Sequence, residues 1–300
     1  GLDGAVRFVP VGDLPALLQA LDEVLHVSSQ QSAAAQSDRE AAVEASQARF
    51  EFMLYRMLLA RRWLDYTQFQ ALTSTTPLPG PRLALSLPET TARRAMFVSH
   101  QMPGVQVFDG VRYSPGWIGA ALSYKYLAQQ ALAAQWPQLE VMEDDVLFLP
   151  DYVEHKAVVD AYLAQRSGQW DVFVGLIAIM HPDTRVLGVE RQGGLVFITI
   201  DRMISMVHNI YAPTVLRLLA QWDERHADPE TNTIDRYLQT QSQLRVVTTL
   251  PFLVGHHEEL HSSLWGIQNS QYAEIIAKAQ SELEAKVRAF EQNTSCHGVT

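Results

Sequence analysis

The stretch PQLEVMEDDVLFLPDY, residues 137–152, sets three carboxylates, Glu143, Asp144 and Asp145, between two largely apolar tetrads, LEVM and VLFL. An apolar run of this length next to an acidic turn reads as a buried strand that ends at the acids. On extended backbone, residues two apart share a face, so Glu143 and Asp145 point one way and Asp144 the other. Like charges on one face raise each other's pKa unless a cation lies between them. Open α/β sheets bind ligands at the carboxyl ends of their strands. A hard divalent cation, Mg²⁺ or Mn²⁺, takes oxygen ligands of this kind and bridges phosphates. The competing reading is an exposed turn whose acids face water.

Outward from this stretch, strands alternate with helices. LALSL (83–87), VQVFDG (105–110), LEVM (139–142), DVFVGLIAIM (171–180) and GGLVFITI (193–200) are strand candidates, and MISMVHNIYA (203–212) continues the sheet. The segment LRVVTTLPFLVG (244–255) contains a further strand. The spacing predicts helices over 117–135, 152–166, 213–226, 234–241 and 270–292. The alternation implies an α/β fold. Residues 14–70 read as helical, with Leu14, Leu17, Leu18 and Leu21 on one face and Ser37-Asp38-Arg39-Glu40 as a capping box. The helix that follows ends in RMLLARRW, where Arg56, Arg61 and Arg62 stand beside apolar residues. That pattern fits a peripheral membrane contact or, more simply, packing with the charged heads snorkelling to water. ALTSTTPLPGPR (71–82), with three prolines and a glycine, reads as the domain boundary. The expected organisation is a helical N-terminal region (1–80), an α/β domain (81–268), and a C-terminal helix and tail (269–300).

The bulk numbers exclude some classes. At 300 residues, with 47% hydrophobic residues, the chain can bury a sizeable core. A net charge of −10 argues against a nucleic-acid partner, which selects a basic face. The single cysteine, Cys296, rules out a disulfide within the chain. No apolar run approaches the roughly 20 residues of a membrane span. GLDGAVRFVPVGD has no apolar signal core and opens without an initiator methionine, as a piece of a larger multidomain chain would.

The order of motifs resembles glycosyltransferase family 25. SPGWIGAALSYKYLAQQAL (114–132) followed by EDDV (143–146) is similar to that family's "PGEIGCALSH", helix, "LEDDV". LALSLPETTARRAMF (83–97) resembles its opening strand and turn, and FDGV (108–111) its "FxAVDG" region. DVFVGL (171–176), NIYAPTVLRLL (209–219) and Asp235 fall in the family's order, so the resemblance spans about residues 82–268. It implies a GT-A fold, Rossmann-like, with a helical N-terminal extension. It also implies transfer of a hexose, often galactose, from a UDP-sugar donor to a glycan acceptor with inversion. In bacterial members the product is surface polysaccharide or lipooligosaccharide, made in the cytoplasm, in cases at the inner membrane.

Residue by residue, the resemblance makes Asp145 a metal ligand, with Glu143 or Asp144 assisting. Ser86, Leu87, Arg93 and Arg94 follow the first strand, where the nucleotide is met, and Ser123 and Asp144 complete the donor set. The same arginines would also serve as a solvated helix face. Asp235 is the candidate general base, since displacement needs a group to take the acceptor's proton; Thr233 and Asp235 read equally well as a helix cap. FLVGHHEELHSS (252–263) offers His256, His257 and His261 as a late metal ligand, with His257 chosen because His257 and His261 are four apart. A wet polar loop is the alternative. Trp265 is the aromatic residue to test for acceptor stacking, and His181 and His208 read as satisfied core histidines. Trp117, Ala120 and Tyr124 stand where the family has Glu, Cys and His, which puts the galactose preference in doubt. Two other classes stay open: a catalytically degenerate domain that binds a glycan or partner, and a phosphohydrolase or nucleotidyltransferase built on the same acids. The N-terminal helices would allow a homo-oligomer.

Overall fold

The computed structural model describes residues 33–100, 102–241, 243–258 and 270–297, together with Gln19. The leucine face at 14–25, His261, Ser262, Ser263 and Trp265 lie outside the described residues. The chain divides between Tyr55 and Arg56 into two units, so residues 56–80 belong with the sheet rather than with the helical region before it.

The first described helix, α1, runs Ala33–Ala60. It already includes Ser37, so the expected capping box is not its start. The second unit begins within the last turns of α1 at Arg56, which is buried rather than snorkelling. Arg56 donates from Nε to the Gly110 carbonyl and forms a two-pronged pair with Glu89 at 2.8 and 2.6 Å. A planar guanidinium suits this forked geometry. The short helix α2 (Tyr66–Thr73) is closed by a capping box of Asp65 and Gln68.

Among the described residues ten strands follow: β1 (Arg82–Ser86), β2 (Gln106–Asp109), β3 (Leu139–Glu143), β4 (Val146–Phe148), β5 (Val172–Val174), β6 (Val186–Gln192), β7 (Leu195–Ile200), β8 (His208–Tyr211), β9 (Val246–Leu250) and β10 (Val254–His256). Eight form a mixed sheet ordered β2-β1-β3-β8-β5-β9-β7-β6. β2, β1 and β3 run parallel, while β8 is antiparallel to both of its neighbours. β4 and β10 make a separate antiparallel pair. Interleaved are α3 (Thr91–Ser99), α4 (Gly116–Ala133), α5 (Tyr152–Gln165), α6 (Pro213–Ala220), α7 (Pro229–Asn232), α8 (Ile234–Thr240) and the C-terminal α9 (Ser270–His297). This is an α/β fold of Rossmann-like character.

The core follows from the apolar runs. In β3, Leu139, Val141 and Met142 are fully enclosed, as expected for a strand covered on both faces. α4 buries residues on most of its circumference, Trp117, Leu122, Tyr126 and Ala131 among them, and packs against α6. A helix apolar all round belongs in the interior. Gly119 lets its first turn press on the loop before it: a Cβ there would meet the Val111 carbonyl oxygen at 2.7 Å and the Tyr113 amide nitrogen at 2.8 Å.

Some expected elements differ. The strand over 171–180 stops at Val174, and the chain turns at Gly175, where a Cβ would meet the His208 ring nitrogen at 2.6 Å. The helix expected over 213–226 ends at Ala220, and Trp222 folds back to donate to the Asn232 carbonyl at 2.9 Å. β6 was not expected because VLGVERQ carries two charges. It lies at the sheet edge, where charged residues discourage pairing with other chains.

Candidate active site

β1 stands between β2 and β3, with the chain passing from β1 to β2 on one side and to β3 on the other. The β1/β3 gap is therefore a topological switch point, the place where parallel sheets open a crevice beyond their strand ends. Side chains close it. Ser86, at the end of β1, donates its hydroxyl to Asp144 Oδ2 at 2.7 Å. Arg93, from α3, donates Nε to Asp144 Oδ1 at 2.9 Å and sets Nη2 3.0 Å from Asp145 Oδ2. Ser86, Asp144 and Asp145 are all buried.

Two cavities meet at this point. One, of about 540 Å³, lies beyond β1, β2 and β3 and is lined by Leu87, Arg93, Ser123, Glu143, Asp144 and Asp145 among others. The second, of about 300 Å³, is lined by Trp117, Tyr124, Asp235, His256 and Tyr272 and again by Glu143 and Asp145. Glu143 and Asp145 thus form a wall common to both cavities, while Asp144 faces only the larger one. β3 ends at Glu143, and Asp144 and Asp145 lie in the turn between β3 and β4.

The electrostatics are lopsided. Burial and the Asp145 carboxylate push Glu143 up to about 8, with Arg93 opposing and Asp144 and Asp235 adding to the rise. Burial likewise raises Asp144, although Arg93 and Ser86 hold it down in part. Burial lowers Arg93, but the surrounding carboxylates, Asp145 first, leave it raised overall. One guanidinium, Arg93, faces the three acids of the triplet.

Asp235, in the first turn of α8, faces Glu143 from the far side of the smaller cavity. Its Oδ1 accepts the Thr233 hydroxyl at 2.8 Å and the Arg236 amide at 2.9 Å. Thr233 is the helix cap by position, but its hydroxyl is turned to Asp235 rather than to a backbone amide.

Several expected residues are placed differently. Arg94 turns away from the triplet to pair with Asp109 at 2.6 Å, which fastens α3 to β2. Ser123 lines the larger cavity, but its hydroxyl accepts from the Val111 amide and donates to the Gly119 carbonyl, both at 2.8 Å. It therefore shapes the wall instead of reaching a ligand. His257 donates its backbone amide to the Asp145 carbonyl at 2.9 Å, and its ring stands beside the His100 ring, 5.6 Å between centroids. His256 is the imidazole at the acids, with Nε2 3.3 Å from Asp145 Oδ2. The pairing of β10 with β4 decides this, because His256 lies opposite Val146, next to the triplet. His256 is the last residue of β10 and His257 follows the strand.

Of the two other histidines, His208 is enclosed, with Nε2 2.9 Å from Glu140 Oε1. His181 is half-buried, and its Nδ1 accepts the Asp183 amide at 3.2 Å. Tyr272 reaches the smaller cavity from α9, more than 120 residues along the chain from the triplet, and no spacing in the sequence signals it.

Among the described residues, no group of three or more His, Cys, Asp or Glu side chains is arranged as a ready metal cage. The donor set at the shared wall nonetheless suits a divalent cation. It offers carboxylate oxygens with one imidazole nitrogen, and it carries more negative charge than Arg93 balances. No helix among the described residues is long and apolar enough to cross a membrane. No family model matches the chain, and no curated protein matches it.

Proposed function

We propose that this protein is a glycosyltransferase of the GT-A type that moves a hexose from a nucleotide-sugar donor, a UDP-sugar, to a glycan acceptor. The observation that carries the reading is the wall of Glu143 and Asp145 standing between two cavities at a switch point of the sheet. Group transfer between two bound molecules needs such an arrangement, with the reacting atoms brought together at a charged partition. The larger cavity, with Arg93, takes the nucleotide diphosphate. The smaller one, with Asp235, takes the acceptor.

Glu143 and Asp145, with His256, would hold Mn²⁺ or Mg²⁺, which when bound offsets the charge that grows on the departing diphosphate. Arg93 shifts from Asp144 and Asp145 to the phosphate oxygens, where its fork fits equally well. Asp235 removes the proton of the acceptor hydroxyl. Its Oδ1 is already engaged by two donors, so Oδ2 is the receiving atom. With acceptor and leaving group on opposite sides of the wall, displacement is direct and the anomeric carbon inverts. Trp117 and Tyr124 line the acceptor cavity where the family resemblance would have Glu and His. The sugar moved is therefore a hexose that need not be galactose, and the acceptor a glycan recognised by aromatic faces. Bacterial surface polysaccharide or lipooligosaccharide, assembled on the cytoplasmic side, is the acceptor class the resemblance favours.

The test is a panel of UDP-sugars with Mn²⁺ and an oligosaccharide mixture, reading free UDP and extension of the acceptor. Release of UDP with glycan extension is expected. Pyrophosphate release instead would move the acids to nucleotidyl transfer. Arg93 already bridging two of the acids favours one second reading, a degenerate domain that binds glycans without turnover. Absence of both UDP binding and UDP release would establish it.

A further inference from the structure

A third concavity, of about 820 Å³, has none of the triplet in its lining. It lies beside the acceptor cavity, because Glu230 and Arg236 line both. Three arginines converge on it: Arg185, Arg202 and Arg236. Two of them are positioned by one buried carboxylate. Asp201 accepts the Arg185 amide at 2.9 Å and Arg185 Nε at 2.8 Å, and Arg202 Nε stands 3.6 Å from the same side chain. Arg202 also places Nη1 3.4 Å from His181 Nδ1. The Arg236 guanidinium, on the rim shared with the acceptor cavity, has no carboxylate partner among the described residues.

Three guanidinium groups face two carboxylates, Asp201 and Glu230, so the groove is cationic in a chain of net charge −10. Holding Arg185 and Arg202 in place with Asp201 ties the β6–β7 edge together, but Arg236 contributes nothing to that tie. Gln239 and Gln243 add amides that hydrogen-bond in both senses, as sugar hydroxyls require.

We propose that this groove binds an anionic sugar residue of the acceptor, one bearing a carboxylate or a phosphate, next to the unit that enters the smaller cavity. The proposal rests on the glycosyltransferase reading, since it gives that reading's acceptor a charge. Arg236 is the contact that links the two cavities. Guanidinium groups recognise planar carboxylate and tetrahedral phosphate oxygens in the same forked manner, so the shared chemistry is the anion. Glu230 opposes it and limits how tightly the groove holds.

The experiment measures binding to the purified full chain by calorimetry with three probes: a glucuronate-containing disaccharide, glucose 6-phosphate and maltose. The charged probes are expected to bind at least about tenfold more tightly than maltose and to weaken as salt screens them. Whichever charged probe binds better identifies the anion. Arg236→Ala should weaken the charged probes about tenfold and leave maltose unchanged, and Glu230→Gln should tighten them. Equal affinity for charged and neutral probes overturns the proposal, as does an Arg236→Ala variant that binds the charged probes like the wild type. UDP binding with Mn²⁺, measured on the same samples, reads the donor site separately. Its failure would sink the transferase reading while the groove stood, and intact UDP binding with no preference for anions would do the reverse.

Discussion

The two ends of β3 carry acids in opposite circumstances. Near its start, Glu140 is buried and ringed by partners: His208 Nε2 at 2.9 Å and the cations Arg82, Nε at 3.0 Å, and Lys156, Nζ at 3.1 Å. Burial opposes ionisation there, but the His208 bond and the charges of Lys156 and Arg82 outweigh it and hold Glu140 well below the usual carboxylate range. At the other end, burial and neighbouring acids push Glu143 upward against Arg93 alone. One strand thus ends in a charge that is fully answered and in another that is not. A fully paired buried acid organises structure, whereas an unanswered one is a place for an external cation.

The contrast breaks most sharply at Glu140. Glu140→Gln keeps the shape of the side chain but leaves Lys156 and Arg82 crowded without their central anion. It is expected to destabilise the fold by about 3–5 kcal/mol, read from urea unfolding. A change under about 1 kcal/mol would mean that Asp160, which also pairs with Lys156, carries the cluster by itself. Asp145→Asn tests the other end. Mn²⁺-dependent turnover should fall on the order of 10²- to 10³-fold, while thermal melting without metal stays unchanged or rises because repulsion is relieved. Full activity in that variant would remove the cation from the mechanism.

A third test separates the ends by the sign of their pH dependence. Glu143 has a raised pKa in the folded chain, so between its ordinary value of 4.5 and about 8 the folded state keeps a proton the unfolded state has lost. Its contribution to stability is therefore most favourable below 4.5 and is lost as pH rises across that window, by up to about 1.4 kcal/mol per pH unit. Glu140 has a depressed pKa, so its contribution is present above 4.5 and is lost as pH falls through the folded value. Without metal, Glu143→Gln should flatten stability between pH 5 and 8 and leave the acid limb untouched. A slope that survives the substitution would assign the titration to another group.

Much of the fold could be read from local pattern. The apolar runs of β3 and β7 and the long apolar repeat of α4 report their burial directly, since few polar atoms interrupt them. The site was legible only in part. Glu143 and Asp145 share a wall, but a turn after β3 rather than strand alternation places Asp145 there, and Ser86, Arg93 and Asp235 come to it along the expected order of motifs. Arg94 and His257 point away from the triplet for one reason: neighbours in sequence diverge in direction, and only packing selects between them. Arg93 and Arg94 sit side by side on α3, yet one reaches the triplet and the other reaches Asp109.

By itself, then, the chain's sequence determined an α/β sheet and the end of its central acidic strand, because period and burial are encoded within a few residues. Tertiary structure alone decided which histidine meets Asp145, that Glu143 and Asp145 divide two cavities, and that three arginines, one just before β6, one just after β7 and one on α8, gather in one groove. Those outcomes depend on strand register and on contacts between residues far apart in the chain, where the spacing of residue types carries no information.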